Sequence, residues 1–278
     1  YLPVVGRALQ QALGSAGGDI GPRALAFFYA LHTTLIPLSL AGLMGFHFWR
    51  IRKAGGLVVP RAPSTSAPPS TARIAAFPHL LIRETATASA LVAAMLVVSI
   101  FFDAPLAAPA NPGLSPNPVR APWYFAGFQE LLLHIHPALT VSLIPMLITV
   151  FLFCIPYLPY PQSTDGIWFA SARGRKLSAT AAVIAMLVTP ILVAVDTLAV
   201  KPASWAADLS PMITDGLLPL SLGGLIIIGL LVILKKRYRT SLNEAVLFLF
   251  VFMMASAVVL TLVGVYLRGP FMQLIWPR

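Results

Sequence analysis

Two histidines, His32 and His47, stand fifteen residues apart in the apolar run Ala26–Trp49, and their type and spacing suit chemistry inside a membrane. Fifteen residues of α-helix rise about 22 Å and return to within roughly 60° of the same face. Imidazoles in an apolar span are expensive and therefore rare. Two of them on one face, near opposite membrane surfaces, could each hold a haem iron axially. Gly42 and Gly45 would let a flat macrocycle approach the helix, and Arg50, Arg52 and Lys53 suit haem propionates or lipid phosphates. The alternative is a pair of histidines hydrogen-bonded to neighbouring helices.

Glu130 and His134 form a second pair, four residues apart and stacked on one helix face. Histidine titrates near working pH, so this pair could accept a proton. It could equally be a solvated pair at the membrane surface. Arg83-Glu84 opens another apolar run. A carboxylate beside an arginine at the membrane edge stays ionised and can deliver a proton, although an ordinary ion pair at a helix start fits as well. Asp196 and Glu244 read as boundary residues, and His79 and His136 as interfacial ones. The single cysteine, Cys154, reads as a small core residue. One cysteine excludes an internal disulfide and a cysteine-based metal cage.

Composition names the elements that hold these residues. Of 278 residues, 58% are hydrophobic and 10% charged, against roughly 25% charged in a soluble domain. Six apolar stretches approach membrane-spanning length: Ala26–Trp49, Thr85–Phe102, Ala138–Leu158, Leu177–Val200, Gly216–Leu234 and Ala245–Leu267. The second can extend back to Leu80. The expected fold class is all-α, a polytopic transmembrane helical bundle of about six spans. Pro37, Pro145, Pro190 and Pro219 fall within spans, where neighbouring groups can satisfy freed carbonyls.

Six spans place alternate connections on opposite faces. One face carries thirteen basic and three acidic residues, and the other six of each, so the whole net charge of +10 lies on one side. Basic clusters such as Lys235–Arg239 mark the cytoplasmic side. That face is taken as the negative (N) side and the other as the positive (P) side, which puts both termini on the P side. The charge is thus an orientation signal, and no nucleic-acid partner is expected. Residues 1–24, with Val5, Leu9 and Leu13, read as an amphipathic P-side surface segment. Residues 25–52 are the histidine-bearing span, and 53–77 a flexible N-side linker rich in proline and serine. Residues 78–200 hold three spans and a proline-stiffened loop at 104–137 that contains Trp123 and Tyr124, and 201–278 hold two further spans. Tyr1 is not Met, so the chain is expected to be a processed product or a portion of something longer.

Ala26-Phe-Phe-Tyr-Ala-Leu-His32, Pro37 and His47-Phe-Trp-Arg-Ile-Arg-Lys53 resemble the fourth helix of cytochrome b, the membrane core of quinol–cytochrome c oxidoreductases. The fifteen-residue interval is that of the photosynthetic form. Leu2-Pro-Val-Val-Gly6 resembles the surface helix leading into it. Asn111-Pro followed by Ala121-Pro-Trp-Tyr124 resembles the loop with the family's Pro-Glu-Trp-Tyr motif, and Pro78-His-Leu-Leu-Ile-Arg-Glu84 the opening of the fifth helix. The resemblance runs from residue 1 to about 200, as a C-terminal portion starting after the third helix. The last two spans have no counterpart in the photosynthetic form.

The resemblance implies two b-type haems. His32 would ligate the one near the P side and His47 the one near the N side, with Arg50, Arg52 and Lys53 beside it. Opposite axial ligands would come from another chain, or a missing N-terminal part, that supplies the first three helices and carries two histidines about 14 residues apart. Quinol would be oxidised under Pro122, Trp123 and Tyr124, with Glu130, Tyr124 and His134 as candidate catalytic groups. Quinone would be reduced near Arg83 and Glu84. The implied partners are a Rieske iron–sulfur protein, a c-type cytochrome or other acceptor, and lipid. The implied assembly is a dimeric complex in a bacterial inner membrane or equivalent energy-transducing membrane. Ala121-Pro122 stands where the family has Pro-Glu, which puts the family's proton route in question. Two alternatives stay open: a cytochrome b-derived anchor linking quinone to another redox module without bifurcation, and a cofactor-free membrane subunit or transporter.

Overall fold

The computed structural model describes residues 22–56, 75–103, 120–160, 163–198 and 208–275. The expected surface helix at 1–20, the linker core at 61–70 and the 104–119 part of the Trp-Tyr loop lie outside the described residues. No strand occurs among the described residues, and six helices are long and apolar enough to cross a membrane. In chain order the helices are α1 (Ala26–Lys53), α2 (Ala76–Phe101), α3 (Trp123–His134), α4 (Leu139–Tyr157), α5 (Ala172–Leu198), α6 (Ile213–Tyr238) and α7 (Leu242–Leu267). All but α3 are candidate spans. The second reaches back past Leu80 to Ala76. The described residues thus form an all-α integral membrane protein with six candidate spans. The chain divides into two units, Tyr1–Val58 and Val59–Arg278, each taken by itself.

Three span prolines leave the same imprint on their helices. Pro37, Pro145 and Pro219 each follow a wide π-helical turn by two residues: Leu31–Leu35, Leu139–Leu143 and Ile213–Leu217. Proline has no N–H, and its ring crowds the carbonyl four residues back. The residue before each proline therefore donates five residues back: Ile36 to Leu31, Ile144 to Leu139, and Leu218 to Ile213. The helix widens by one residue and continues. Pro190 sits inside α5 without such a turn.

In the first unit, α1 is exposed along its length. It ends where Gly55 and Gly56 take φ of 96° and 106°. Gly56 N–H reaches Ile51 C=O at 3.0 Å and Gly55 N–H reaches Arg52 C=O at 3.2 Å. This is a glycine-dependent helix stop that satisfies the last carbonyls.

In the second unit, the core lies between α5 and α7. The α5 stripe Leu177, Ala181, Ala185, Thr189 and Val193 is buried at four-residue spacing. It meets Phe248 and Phe252 of α7, with Leu234 of α6 alongside. Small residues let the helices approach, and packing and interhelical hydrogen bonds hold them where lipid offers no hydrophobic drive. Thr189 Oγ1 donates to Ser256 Oγ at 3.0 Å. At the end bearing Lys235–Arg239, Arg173 Nε donates to Glu244 Oε1 at 3.0 Å, and Ser171 Oγ donates to the same oxygen at 2.8 Å. Glu244 also closes a capping box with Ser241 at the start of α7. The boundary residue Glu244 is thus a clamp between two spans. Cys154, expected in a core, is exposed on α4. The core is concentrated on α5 and α7, and α4 lies largely outside it.

Candidate functional site

Helix α3 begins at Trp123, so the second half of the expected Trp-Tyr loop is helical. Pro122, with ψ of 151°, turns the chain into it, and Gln129 Oε1 accepts from Ala121 N–H at 2.7 Å. Ala126, Gly127 and Glu130 form the buried face, while Trp123, Tyr124 and Phe125 are more than half exposed. Glu130 and His134 therefore meet, as their spacing requires, while Tyr124 lies off this buried face and is exposed.

Two glycines bring α3 onto α7. A Cβ at Gly127 would stand 2.5 Å from Thr261 Oγ1 and 3.0 Å from Ala257 C=O. A Cβ at Gly264 would stand 2.7 Å from Ala126 C=O. Side chains at either position would hold the backbones apart. One turn beyond Gly264, Arg268 leaves the end of α7 and reaches Glu130. Its Nε donates to Glu130 Oε2 at 2.9 Å and to Oε1 at 3.1 Å, and its Nη2 also pairs with Oε1. Nη1 donates to Met272 C=O at 3.0 Å. The chain supplies that carbonyl by folding back after α7, with Ile275 N–H on Leu267 C=O at 2.8 Å.

His134 links this pair to α5. Its Nε2 lies 3.0 Å from Glu130 Oε1 and 3.3 Å from Arg268 Nη2, and its Nδ1 lies 2.6 Å from Asp196 Oδ2. Glu130 is fully buried, Arg268 is 4% exposed, His134 12% and Asp196 37%. The series runs from the protein interior to the surface. Burial alone pushes the Glu130 carboxyl up, but hydrogen bonds from His134 and Arg268, with the arginine charge, outweigh it and hold the pKa below its usual value. Burial likewise pushes His134 down, but hydrogen bonds to Glu130 and Asp196 win and raise it. The charged forms of both side chains are thereby favoured over their free counterparts.

The neighbouring backbone locks this corner. Pro219 cannot donate to Asp215 C=O, four residues back, and that carbonyl accepts from His136 N–H at 2.7 Å. His136 C=O in turn accepts from Thr140 N–H at 3.1 Å, and its Nδ1 from Ala138 N–H at 3.3 Å. The histidine expected to be interfacial is a half-buried joint between α3, α4 and α6.

On α1, His32 sits in the π turn before Pro37 and His47 lies in the regular helix beyond, both exposed. The wide turn takes up about one residue, roughly 100° of rotation. The 60° offset expected of a regular helix then falls to within roughly 40° on the other side. A Cβ at Gly42 or Gly45 would meet no other atom of its own unit within 4 Å. The donor set is compatible with haem: each exposed imidazole stands apart from other ligating side chains and could offer one nitrogen to an iron. Among the described residues no three His, Cys, Asp or Glu side chains gather as another kind of metal site. Lys53 Nζ lies 5.2 Å from the Trp49 ring centre, and Arg50 and Arg52 are exposed. Arg83 and Glu84 are exposed at the start of α2, with no ion pair between them. His79 is also exposed.

Sequence reasoning missed Asp196 and Arg268 as site residues. The available signal was the balanced charge of their face: six acidic residues against six basic ones, with Glu130, Asp196 and Arg268 all beside span ends. Buried charges must pair, but the partners become visible only once α3, α5 and α7 are packed.

The family described as "Cytochrome b(N-terminal)/b6/petB" matches residues 1–114. A cytochrome b6 of Oltmannsiellopsis viridis is 46% identical over 54 residues, 19% of this chain and 25% of that protein. The cytochrome b subunit of a menaquinol:cytochrome c reductase from Geobacillus thermodenitrificans is 37% identical over 54 residues, 19% and 24% of the two chains. A cytochrome b/c1 protein of Bradyrhizobium diazoefficiens is 28% identical over 169 residues, 57% of this chain and 23% of that one. The matches span about a quarter of the length of these relatives. No solved structure matches the chain.

Proposed function

We propose that this chain is a haem-binding membrane subunit of a quinol-oxidising, bc-type electron-transfer complex. The observation that carries the reading is His32 and His47 aligned along one membrane-spanning helix, within the stretch that matches cytochrome b. His32 and His47 would each give one axial nitrogen to a b-type haem. When bound, haem supplies one-electron redox chemistry, which the protein tunes through ligand, charge and burial. The opposite ligands would come from another chain, or from an N-terminal part preceding these residues, with two histidines about 14 residues apart on one helix. Arg50, Arg52 and Lys53 hold propionates or lipid phosphates.

Quinol binds at the end of α3, beside Pro122, Trp123 and Tyr124. The buried pair Glu130–His134 takes the proton role that Pro122 cannot fill. Quinone is reduced at the opposite membrane surface near Arg83 and Glu84, with Glu84 delivering a proton. Further partners are a Rieske iron–sulfur protein and a c-type cytochrome or equivalent acceptor, in a dimeric complex of an energy-transducing membrane such as a bacterial inner membrane. Both chain termini face its positive side, and the net result is a contribution to a proton gradient.

A reduced-minus-oxidised spectrum of the purified complex tests the reading. Two b-type haems are expected, and His32→Leu and His47→Leu each remove one. A complex that lacks b-type absorbance, or keeps both haems in either variant, refutes it. Pro122 in place of the family glutamate favours a second reading, an anchor that passes electrons without bifurcation. In that case inhibitors of the P-side quinol site leave turnover unchanged.

A further inference from the structure

The cluster around His134 can solvate either protonation state of its imidazole. When His134 is neutral with its proton on Nδ1, that N–H donates to Asp196 Oδ2 at 2.6 Å and the bare Nε2 accepts from Arg268 Nη2 at 3.3 Å. When it is protonated, Nε2–H donates to Glu130 Oε1 at 3.0 Å and Nδ1–H still donates to Asp196. In the neutral state the bare Nε2 also faces Glu130 Oε1 at 3.0 Å, so these two acceptors move slightly apart while Arg268, which pairs with both, bridges them. With Glu130 and Asp196 ionised, proton uptake carries the cluster from a net charge of −1 to zero. A buried histidine held by one partner alone would leave a polar atom unsatisfied in one of its states.

We propose that His134 is a one-proton store on the P side, with Asp196 as its outlet to the surface and Arg268 as the positioning residue that keeps Glu130 from holding the proton itself. This rests on the quinol-oxidising function proposed above and deepens it. Quinol's two protons pass one at a time: each is bound at Nε2, one proton leaves from Nδ1 through Asp196 to bulk water, and the imidazole returns to its Nδ1–H tautomer before the next is taken up. The electrons pass to the one-electron acceptors and never enter the cluster. Glu130 is unsuited to storage because the guanidinium fork stabilises its charged form. Asp196 is suited to release because it is the most exposed of the four side chains. The charged and titratable groups around His134 are Glu130 on its own helix, Asp196 on α5 and Arg268 at the end of α7. His136 and Asp215 lie one step away, joined to each other through their backbones.

The test uses the intact complex and two measurements. Imidazole titration by infrared difference spectroscopy, assigned with His134→Gln, reports the store without requiring quinol. Single-turnover reduction of b haem by quinol, from pH 5 to 9, reports the relay. In the wild type, the rate should rise with pH along a limb whose midpoint coincides with the His134 titration. Asp196→Asn should lower both midpoints by about one pH unit and the rate at pH 8 about tenfold, with haem content unchanged and Asp196→Glu restoring the rate. Arg268→Lys keeps the charge but loses the fork, and should broaden the titration as Glu130 begins to share the proton. A haem-replete Asp196→Asn complex with wild-type rate and pH profile overturns the proposal, as does a His134 that does not titrate in this range. If His134 titrates as expected but quinol reduces no haem in the wild type, the quinol-oxidising reading is what fails, and the relay assigned to it falls with it.

Discussion

Replacing Gly264 by alanine tests whether close approach of α3 and α7 makes the buried cluster possible. The added Cβ would lie 2.7 Å from Ala126 C=O, 3.2 Å from the same carbonyl carbon and 3.3 Å from Ala126 Cβ. All three belong to backbone or to the stub of a side chain, so none can swing away. Relief requires the helices to part by about 0.5 Å or more to approach ordinary contact distances. Arg268 lies one turn further along, and its bonds to Glu130, now 2.9 and 3.1 Å, would then pass about 3.4 Å and cease to be good hydrogen bonds. Overpacking alone costs about 1–3 kcal/mol, and loosening a buried ion pair adds to it. Gly229→Ala is the internal control, because a Cβ there meets nothing within 4 Å. Both substitutions bring the same helix-propensity gain of about 0.8–1 kcal/mol, so the difference between them isolates the clash. Equilibrium unfolding in mixed micelles, followed by tryptophan fluorescence, should place Gly264→Ala at least about 2 kcal/mol below Gly229→Ala. Equal stability of the two variants would show that the helices do not depend on this contact.

Other perturbations probe the same corner. Arg268→Met leaves the fully buried Glu130 without its cation and should cost about 3–5 kcal/mol, while the double variant Glu130→Leu/Arg268→Met should recover most of that loss in the same unfolding assay. Stability should also depend on pH in a defined sense. His134, raised in the folded state, contributes below its unfolded value of 6.5, and this contribution is lost as pH rises through the folded pKa. Glu130, lowered in the folded state, contributes above its unfolded value of 4.5, and this contribution is lost as pH falls through the folded pKa. The joint contribution is therefore greatest between 4.5 and 6.5, and thermal unfolding across pH should show a maximum there that His134→Gln flattens on its alkaline side. Pro219→Ala lets residue 219 donate to Asp215 C=O, removing the acceptor of His136 N–H. A loss of about 1 kcal/mol is expected, seen as faster amide exchange at His136.

How far the sequence reaches depends on the range of the interaction. Span positions follow from local apolarity, and all six are found within a few residues of where hydropathy puts them, although α2 begins at Ala76 because its polar start, His79 to Glu84, dilutes the signal. Glu130 and His134 are legible because a four-residue interval on a helix is a contact in itself. Asp196 and Arg268 are not, since they stand 62 and 138 residues from the groups they bond. The effect of the prolines is half legible: a kink or a break can be expected at Pro37, but not that the helix would absorb it as a wide turn ahead of the ring. That turn changes the inference drawn from the histidine spacing. In a regular helix, fifteen residues leave the imidazoles about 60° apart, and the extra residue in the wide turn brings them closer to one line.

The charge pattern and the buried cluster have one explanation. Among the described residues the basic cluster Lys235, Lys236, Arg237 and Arg239 at the end of α6 is exposed. Around α3 and the end of α7 charge is instead turned inward: Glu130 and Arg268 are buried against each other, with His134 and Asp196 leading outward. An orientation signal needs charge in water, whereas a proton-handling site needs paired charge with a single titrating member near neutrality. This division also gives the last two spans a task. α7 carries the arginine without which Glu130 would be an uncompensated buried charge, and α6 supplies the Asp215 carbonyl that anchors His136. Removing both spans from the chain should therefore do more than shorten the bundle. Glu130 would lose its cation, its carboxyl would move up toward the protonated form, and the i, i+4 pair would share the proton that the proposed store places on His134.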